Sequence, residues 1–88
     1  MRLYIVHDCI PCSVMEKRLK KLGLDFELIY VDEDLLAREE MESITGGTIV
    51  PVLLNQSNGK IMIGCPYDEQ EFIDEIKRLL GVLKHYRN

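Results

Sequence analysis

Residues 2–12 read Arg-Leu-Tyr-Ile-Val-His-Asp-Cys-Ile-Pro-Cys, and this stretch decides the fold. Its first five residues favour an extended backbone, which predicts a short strand over residues 2–6. After the two cysteines, apolar residues recur at helical spacing as far as Leu22, and Gly23 fits a helix stop. Proline is tolerated in a first helical turn. The sequence therefore predicts a helix that starts at or just inside the cysteine pair and ends near Leu22.

The spacing Cys9-Ile10-Pro11-Cys12 brings two sulfurs within reach of a disulfide and gives them different surroundings. Cys9 lies at or before the N-cap, where unpaired backbone N–H groups and the helix dipole favour a thiolate. Such a cysteine can have its pKa lowered from about 8.5 to roughly 3.5–7.5. Cys12 lies one turn further along, on the apolar face of the helix, where burial keeps it a thiol. We therefore expect Cys9 to attack a substrate disulfide and Cys12 to resolve the mixed disulfide.

The other strands follow from apolar spacing. Residues 26–31 alternate as a strand does, and residues 49–54 form an apolar strand with a proline near its start. Asn58-Gly59 is a strong hairpin signal, and residues 60–63 form the returning strand.

Two further helices complete the order. One begins after Asp32 or Asp34 and ends at Gly46-Gly47, and the other begins near an acidic first turn at residues 68–71. Their predicted apolar faces are Leu35, Leu36, Met41 and Ile44 in the first, and Phe72, Ile76, Leu79, Leu80 and Leu83 in the second. The order β-α-β-α-β-β-α predicts an α/β protein: a four-stranded mixed sheet with three helices over its two faces, the first strand pair parallel and the last antiparallel.

Val50-Pro51 stands at the start of the third predicted strand. Proline is tolerated at a strand start or edge, and the trans form is the common one. Together with the cysteine pair, we favour the cis form here. A cis bond would turn the backbone of Val50 toward the cysteines, where its N–H and C=O could pair with a peptide-like substrate.

These motifs, in this order, resemble the glutaredoxin family from Leu3 to about Leu80, and most closely its redoxins that donate electrons to ribonucleotide reductase. The family's cysteine motif matches residues 9–12, and its Thr-Val-Pro with a cis proline matches residues 49–51 except at Ile49. The resemblance implies a thioredoxin fold and a dithiol protein-disulfide oxidoreductase. It also implies a substrate-binding site formed by Ile10, Pro11, Val50, Pro51, Gly64 and Asp68.

Two positions depart from the pattern of glutathione-using members. Cys65 replaces a second glycine and would narrow the groove in which those members bind glutathione. His7-Asp8 stands where a lysine often precedes the first cysteine. Asp8 would raise the pKa of a neighbouring thiolate, whereas a protonated His7 would lower it. Arg38 is the best partner for the glycine carboxylate of glutathione. We expect no bound cofactor, and a reductant that is glutathione, another small thiol or a flavoprotein reductase.

Length and composition argue against several classes. The chain has 88 residues, which predicts one domain over residues 1–88. A net charge of −4 argues against a nucleic-acid partner. No apolar stretch is long enough for a membrane span or a signal-peptide core, and three cysteines are too few for a secreted disulfide framework. We expect a cytoplasmic monomer that acts on a disulfide-containing protein or a low-molecular-weight thiol.

Two other functions stay open at this point. One is a metal or iron–sulfur binding module that uses Cys9, Cys12 and Cys65, with His7 as a further ligand, although zinc sites usually show a second CxxC or a histidine pair. The other is a redox-inert adaptor that binds peptides at Val50. Cys65 is either a small, partly buried residue or a third reactive thiol. The basic cluster at residues 17–21 is either a solvated helix face or a docking site for an acidic partner.

Overall fold

The structure is a computed structural model that describes residues 1–81. Its strands are β1 (Arg2–Ile5), β2 (Glu27–Tyr30), β3 (Val52–Leu54) and β4 (Ile61–Ile63), and its helices are α1 (Ile10–Lys21), α2 (Leu35–Thr45) and α3 (Glu69–Leu80). This order confirms the predicted β-α-β-α-β-β-α. Leu83 lies outside the described residues. None of the helices in residues 1–81 has the length and apolar character needed to cross a membrane.

The four strands form one mixed sheet in the order β2-β1-β3-β4. The central strand β1 pairs in parallel with β2, which opposes Ile5 to Tyr30, and antiparallel with β3, which opposes Tyr4 to Val52. Strand β4 runs antiparallel to β3, with Ile63 opposite Val52. Consequently the ends of β1, β2 and β4 and the start of β3 lie at the same edge of the sheet. The segments that follow or precede them, including both predicted motifs, are brought together at this edge.

Alternation along β1 separates the core into two layers, because successive side chains of a strand point to opposite faces. Leu3 and Ile5 face α1 and α3, and Tyr4 faces α2. The first layer contains Leu3, Ile5, Cys12, Met15, Leu19, Leu53, Met62, Phe72, Ile76 and Leu79. The second, smaller layer contains Tyr4, Val31, Met41 and Val52. The predicted helix coverage of both faces is confirmed.

Helix α2 buries less apolar surface than its sequence predicts. Leu35 and Leu36, predicted to face the core, are 66% and 78% exposed, and Ile44 is also exposed. Asp34 is the N-cap, and the helix contacts the sheet through Ala37 and Met41. Because successive residues are rotated by about 100° around a helix, the two leucines before Ala37 point away from that contact.

Two further boundaries differ from the expected ones. Strand β3 begins at Val52 rather than at residue 49, since the chain turns at Pro51, which has no N–H to donate to a ladder. In α3, Phe72, Ile76 and Leu79 are buried as predicted, whereas Leu80 is 39% exposed beside the C-cap Gly81.

Leu19→Ala and Leu36→Ala form a matched test of this packing, because they remove the same atoms from a fully buried and a mostly exposed site. We expect Leu19→Ala to lower the free energy of unfolding by about 2–5 kcal/mol through lost burial and a cavity. Leu36→Ala should change it by no more than about 0.5 kcal/mol. Urea unfolding followed by far-UV circular dichroism measures both. Equal losses would mean that α2 packs as the sequence alone predicted.

Candidate active site

Cys9 and Cys12 lie where β1 passes into α1. Cys9 is the N-cap of the helix, with an extended backbone, and its carbonyl accepts the N–H of Ser13 at 3.1 Å. The two sulfurs are within bonding distance and form a disulfide, and the two Cα atoms are 5.2 Å apart. That separation lies in the usual range for disulfides. The predicted position of the pair at the helix start is confirmed.

The two cysteines differ in burial and in hydrogen bonding. Cys12 is 1% exposed and belongs to the core, whereas Cys9 is partly exposed. The backbone N–H of Cys12 donates to the sulfur of Cys9 over 3.2 Å. The sulfur thus takes the place of the oxygen that usually caps a helix N-terminus. In the reduced protein, the same N–H and the helix dipole favour negative charge on Cys9.

The peptide bond between Val50 and Pro51 is cis, as expected from the sequence. Pro51 is fully buried, and its carbonyl accepts the N–H of Gly64 at 2.7 Å. Within residues 1–81, neither the N–H nor the carbonyl of Val50 takes part in a backbone hydrogen bond. Val50 packs against the same core layer as Cys9 and Cys12. The structure therefore places a free backbone segment and the predicted Gly64 at the edge of the sheet that carries the cysteines.

The remaining predicted substrate-binding residues lie at or near helix starts at this edge. Ile10 is 78% exposed and Pro11 is also exposed. Asp68 is the N-cap of α3 and accepts the N–H of Glu71 at 2.9 Å. Asp68 thus has a structural role in starting the helix, and its contact with a substrate stays a prediction.

Arg18 has a role that sequence reasoning missed. Its guanidinium donates to the carbonyls of Pro66 at 2.8 Å and Tyr67 at 3.0 Å, and it lies 5.2 Å from the ring centroid of Phe72. It also contacts the sulfur of Cys65 at 3.7 Å. Arg18 is thus not part of a solvated helix face, because it fixes the segment between β4 and α3 to α1. The contacts with Cys65, Pro66 and Tyr67 span 47–49 residues of sequence, so helical spacing alone could not indicate them.

Cys65 is a free, partly buried thiol beside Arg18. Burial raises the pKa of this thiol, and the neighbouring guanidinium offsets part of that effect. Cys65 is therefore a poor nucleophile at neutral pH in comparison with an exposed thiolate.

His7 is held by the segment that follows β2. Its Nδ1 lies 2.9 Å from the carboxylate of Asp32, and its Nε2 lies 3.5 Å from the carboxylate of Glu33. Its ring stacks on the ring of Tyr30, with the two centroids 4.1 Å apart. The backbone N–H of His7 also donates to Asp32 at 3.2 Å. The hydrogen bond to Asp32 raises the pKa of His7, and the same bond lowers the pKa of Asp32. Asp8 follows in the left-handed region, with φ of 56°.

A groove of about 540 Å³ opens on the β2 side of the cysteine pair. Ile5 and Val6 of the β1 end and Tyr30 of β2 are among its lining residues. Cys9 lines it, together with His7, Asp8, Ile10, Cys12, Ser13 and Glu16. The groove gives a ligand a second approach to the reactive sulfur, separate from the segment at Val50.

The residues of the proposed metal site do not converge. In the part of the chain that the structure describes, no group of three His, Cys, Asp or Glu side chains is placed to hold a metal ion. His7 is directed at Asp32 and Glu33, and Cys65 at Arg18. Arg38, the candidate partner for a glutathione carboxylate, pairs with Glu42 at 3.0 Å.

Comparison with known proteins identifies the family. The Glutaredoxin family profile matches residues 2–60, which is more than half of the chain. The chain belongs to the glutaredoxin family. A glutaredoxin-like 8.6 kDa protein of the rubredoxin operon of Clostridium pasteurianum is 31% identical over 64 residues, which cover 73% of this chain and 83% of that protein.

Solved structures agree with this assignment. The glutaredoxin grx-1 of Archaeoglobus fulgidus is 30% identical and has a TM-score of 0.71 to this chain, with 90% of this chain and 83% of that one covered. A variant of the thioredoxin-like protein BC3987 has a TM-score of 0.73 at 22% identity, with 93% and 95% covered. The second likeness bears on the fold alone. The predicted thioredoxin fold and family are confirmed, and membership of the family supports a role in thiol–disulfide redox chemistry.

The His7–Asp32 contact can be tested by titration. We expect NMR to give His7 a pKa above 6.5, and Asp32→Asn to bring it back toward that value. His7 stabilises the fold while it is protonated, so its contribution to stability is lost as the pH rises through its raised pKa. Asp32 stabilises the fold while it is ionised, so its contribution is lost as the pH falls through its lowered pKa. Asp25→Asn, a change of the same kind on another exposed residue, is the control. An unchanged His7 titration in Asp32→Asn would contradict the assigned cause.

Proposed function

We propose that this glutaredoxin is a dithiol oxidoreductase that reduces disulfides through Cys9 and Cys12. The observation that supports this most directly is the unequal cysteine pair. One cysteine is partly exposed and its sulfur receives a backbone N–H, and the other is buried with its sulfur within bonding distance of the first. This arrangement supplies a nucleophile and a resolving thiol in fixed positions.

In the first step, the Cys9 thiolate attacks one sulfur of the substrate disulfide. A bond forms between Cys9 and that sulfur, the substrate S–S bond breaks, and the other substrate sulfur leaves as a thiolate that takes a proton from solvent. The attack is favoured by the N–H of Cys12, which stabilises the thiolate.

In the second step, Cys12 loses its proton and attacks the sulfur of Cys9. The mixed disulfide breaks, the Cys9–Cys12 disulfide forms, and the second substrate thiol is released. Two electrons have then passed from the dithiol to the substrate. Since Cys12 is buried beside Cys9, it reaches the mixed disulfide without a change in the fold of α1.

The substrate is held beside Cys9 by the free backbone of Val50. An extended segment on either side of the substrate sulfur would accept the N–H of Val50 and donate to its carbonyl. Gly64 would permit close approach of the substrate, and Ile10 presents an exposed apolar surface next to the reacting sulfur. A protein disulfide or the peptide-like part of glutathione satisfies these contacts.

A thiol donor returns the disulfide to the dithiol. Two thiols supply the two electrons and leave as their own disulfide, so no bound cofactor takes part in the proposed cycle. Glutathione, another small thiol or a flavoprotein reductase would fill this role. A reducing compartment such as the cytoplasm keeps thiols of this kind available.

The test compares Cys9→Ser, Cys12→Ser and Cys65→Ser with the unaltered protein, all supplied with a disulfide-linked peptide and followed by intact mass. Cys9→Ser should abolish exchange because the nucleophile is removed. Cys12→Ser should accumulate a mixed disulfide on Cys9, because the resolving thiol is absent. Cys65→Ser should react at the rate of the unaltered protein. Exchange that survives in Cys9→Ser would overturn the proposal.

A further inference from the structure

We infer that the groove on the β2 side of Cys9 selects polypeptide disulfides that carry positive charge beside the reacting cysteine. This inference rests on the proposed function, since it concerns the substrate of the same cysteine pair. Three observations support it: the position of the groove beside Cys9, the charges of its lining residues, and the charges of the two carboxylates that contact His7.

The position of the groove makes its charge relevant to the reaction. Cys9 lines it, so any disulfide attacked from this side must place the atoms next to its sulfur inside the groove. A volume of about 540 Å³ has room for the side chains that flank a substrate cysteine. A segment of polypeptide can therefore bring charged side chains into the groove beside its cysteine.

The lining is acidic. Asp8 and Glu16 contribute carboxylates, and among the described residues no lysine or arginine lines the groove. Glu16 forms an ion pair with Lys20 over 3.0 Å. The Lys20 side chain is 65% exposed, whereas that of Glu16 is 24% exposed. Glu16 lines the groove and Lys20 does not, so the carboxylate is the member of this pair that belongs to the lining.

His7 does not reverse this balance. It is the other ionisable residue of the lining apart from Tyr30 and the cysteines, and two carboxylates, those of Asp32 and Glu33, contact its ring. Even with His7 protonated, the groove and its immediate surroundings hold four carboxylates against two cationic groups. The N-terminus of α1 would favour an anion, but its Cys12 N–H is already directed at the sulfur of Cys9.

The chemistry that complements this groove is a lysine or arginine within a residue or two of the substrate cysteine. Opposite charges in a partly desolvated groove raise the rate of encounter, and like charges lower it. An anionic disulfide such as oxidised glutathione is disfavoured on this side for the same reason.

The experiment uses two peptides of equal length, each with its cysteine in the same kind of mixed disulfide. Lysines flank the cysteine in one peptide, and glutamates flank it in the other. The rate of exchange with the full reduced chain is measured for each by rapid quench and intact mass. Flanking lysines also make the peptide thiolate a better leaving group for any attacking thiol. The lysine-to-glutamate rate ratio measured with the protein is therefore divided by the same ratio measured with dithiothreitol. We expect the corrected ratio to favour the lysine peptide by at least about tenfold at low salt and to fall as salt is added.

Variants assign the preference to the groove. Asp8→Asn combined with Glu16→Gln removes both lining charges, and asparagine tolerates the left-handed backbone at position 8. The matched control is Asp25→Asn with Glu39→Gln, which makes the same two changes at exposed positions outside the groove. We expect the corrected ratio to fall at least about threefold in the first variant and to stay unchanged in the control.

Each other outcome is decisive. A corrected ratio near one in the unaltered protein would overturn the inference while leaving the proposed function intact. A high ratio that the Asp8 and Glu16 changes do not reduce would also overturn it, because the preference would then arise elsewhere. Absence of exchange with both peptides would overturn the proposed function itself, and this inference with it.

Discussion

The hydrogen bond from the N–H of Cys12 to the sulfur of Cys9 is the contact on which the site depends. It exists because only residues 6–9 separate β1 from α1, and this short connection brings Cys9 to the N-cap. The first turn of a helix has N–H groups without helical partners, and here one of them is directed at a reactive sulfur. The helical period then places Cys12 on the buried face three residues later. One local constraint thus gives both a partly exposed nucleophile and a buried resolving thiol.

The segments around this contact are fixed by polar interactions as well as by packing against the core. Arg18 joins α1 to the segment after β4, and Asp32 joins the segment after β2 to His7. The carbonyl of Pro51 is bound to Gly64, which joins the start of β3 to the end of β4. These contacts position three segments around the cysteine pair in a domain whose core is small. They also leave the Val50 backbone and the acidic groove accessible on different sides of Cys9.

Much of the fold could be predicted, because its elements are coded by local periodicity. Alternation specified the strands, helical spacing specified the helices, and the position of the cysteines between β1 and α1 specified the reactive pair. The exposure of Leu35 and Leu36 could not be predicted in this way, since apolar spacing does not fix which residues of a short helix meet the sheet. The roles of Arg18 and Asp32 depend on contacts across 25 or more residues, which only the folded chain brings together. The groove beside Cys9 has the same origin, because Tyr30 reaches it from the neighbouring strand.

The most direct test of the central claim is the rate at which each cysteine of the reduced protein is alkylated at neutral pH. Limited reaction with iodoacetamide, followed by peptide mass mapping, gives the three rates in one experiment. The account predicts that Cys9 reacts at least about tenfold faster than Cys65, whose pKa is raised by burial, and that Cys12 reacts slowest. Equal rates at Cys9 and Cys65, or faster reaction at Cys12, would contradict the assignment of Cys9 as the stabilised nucleophile.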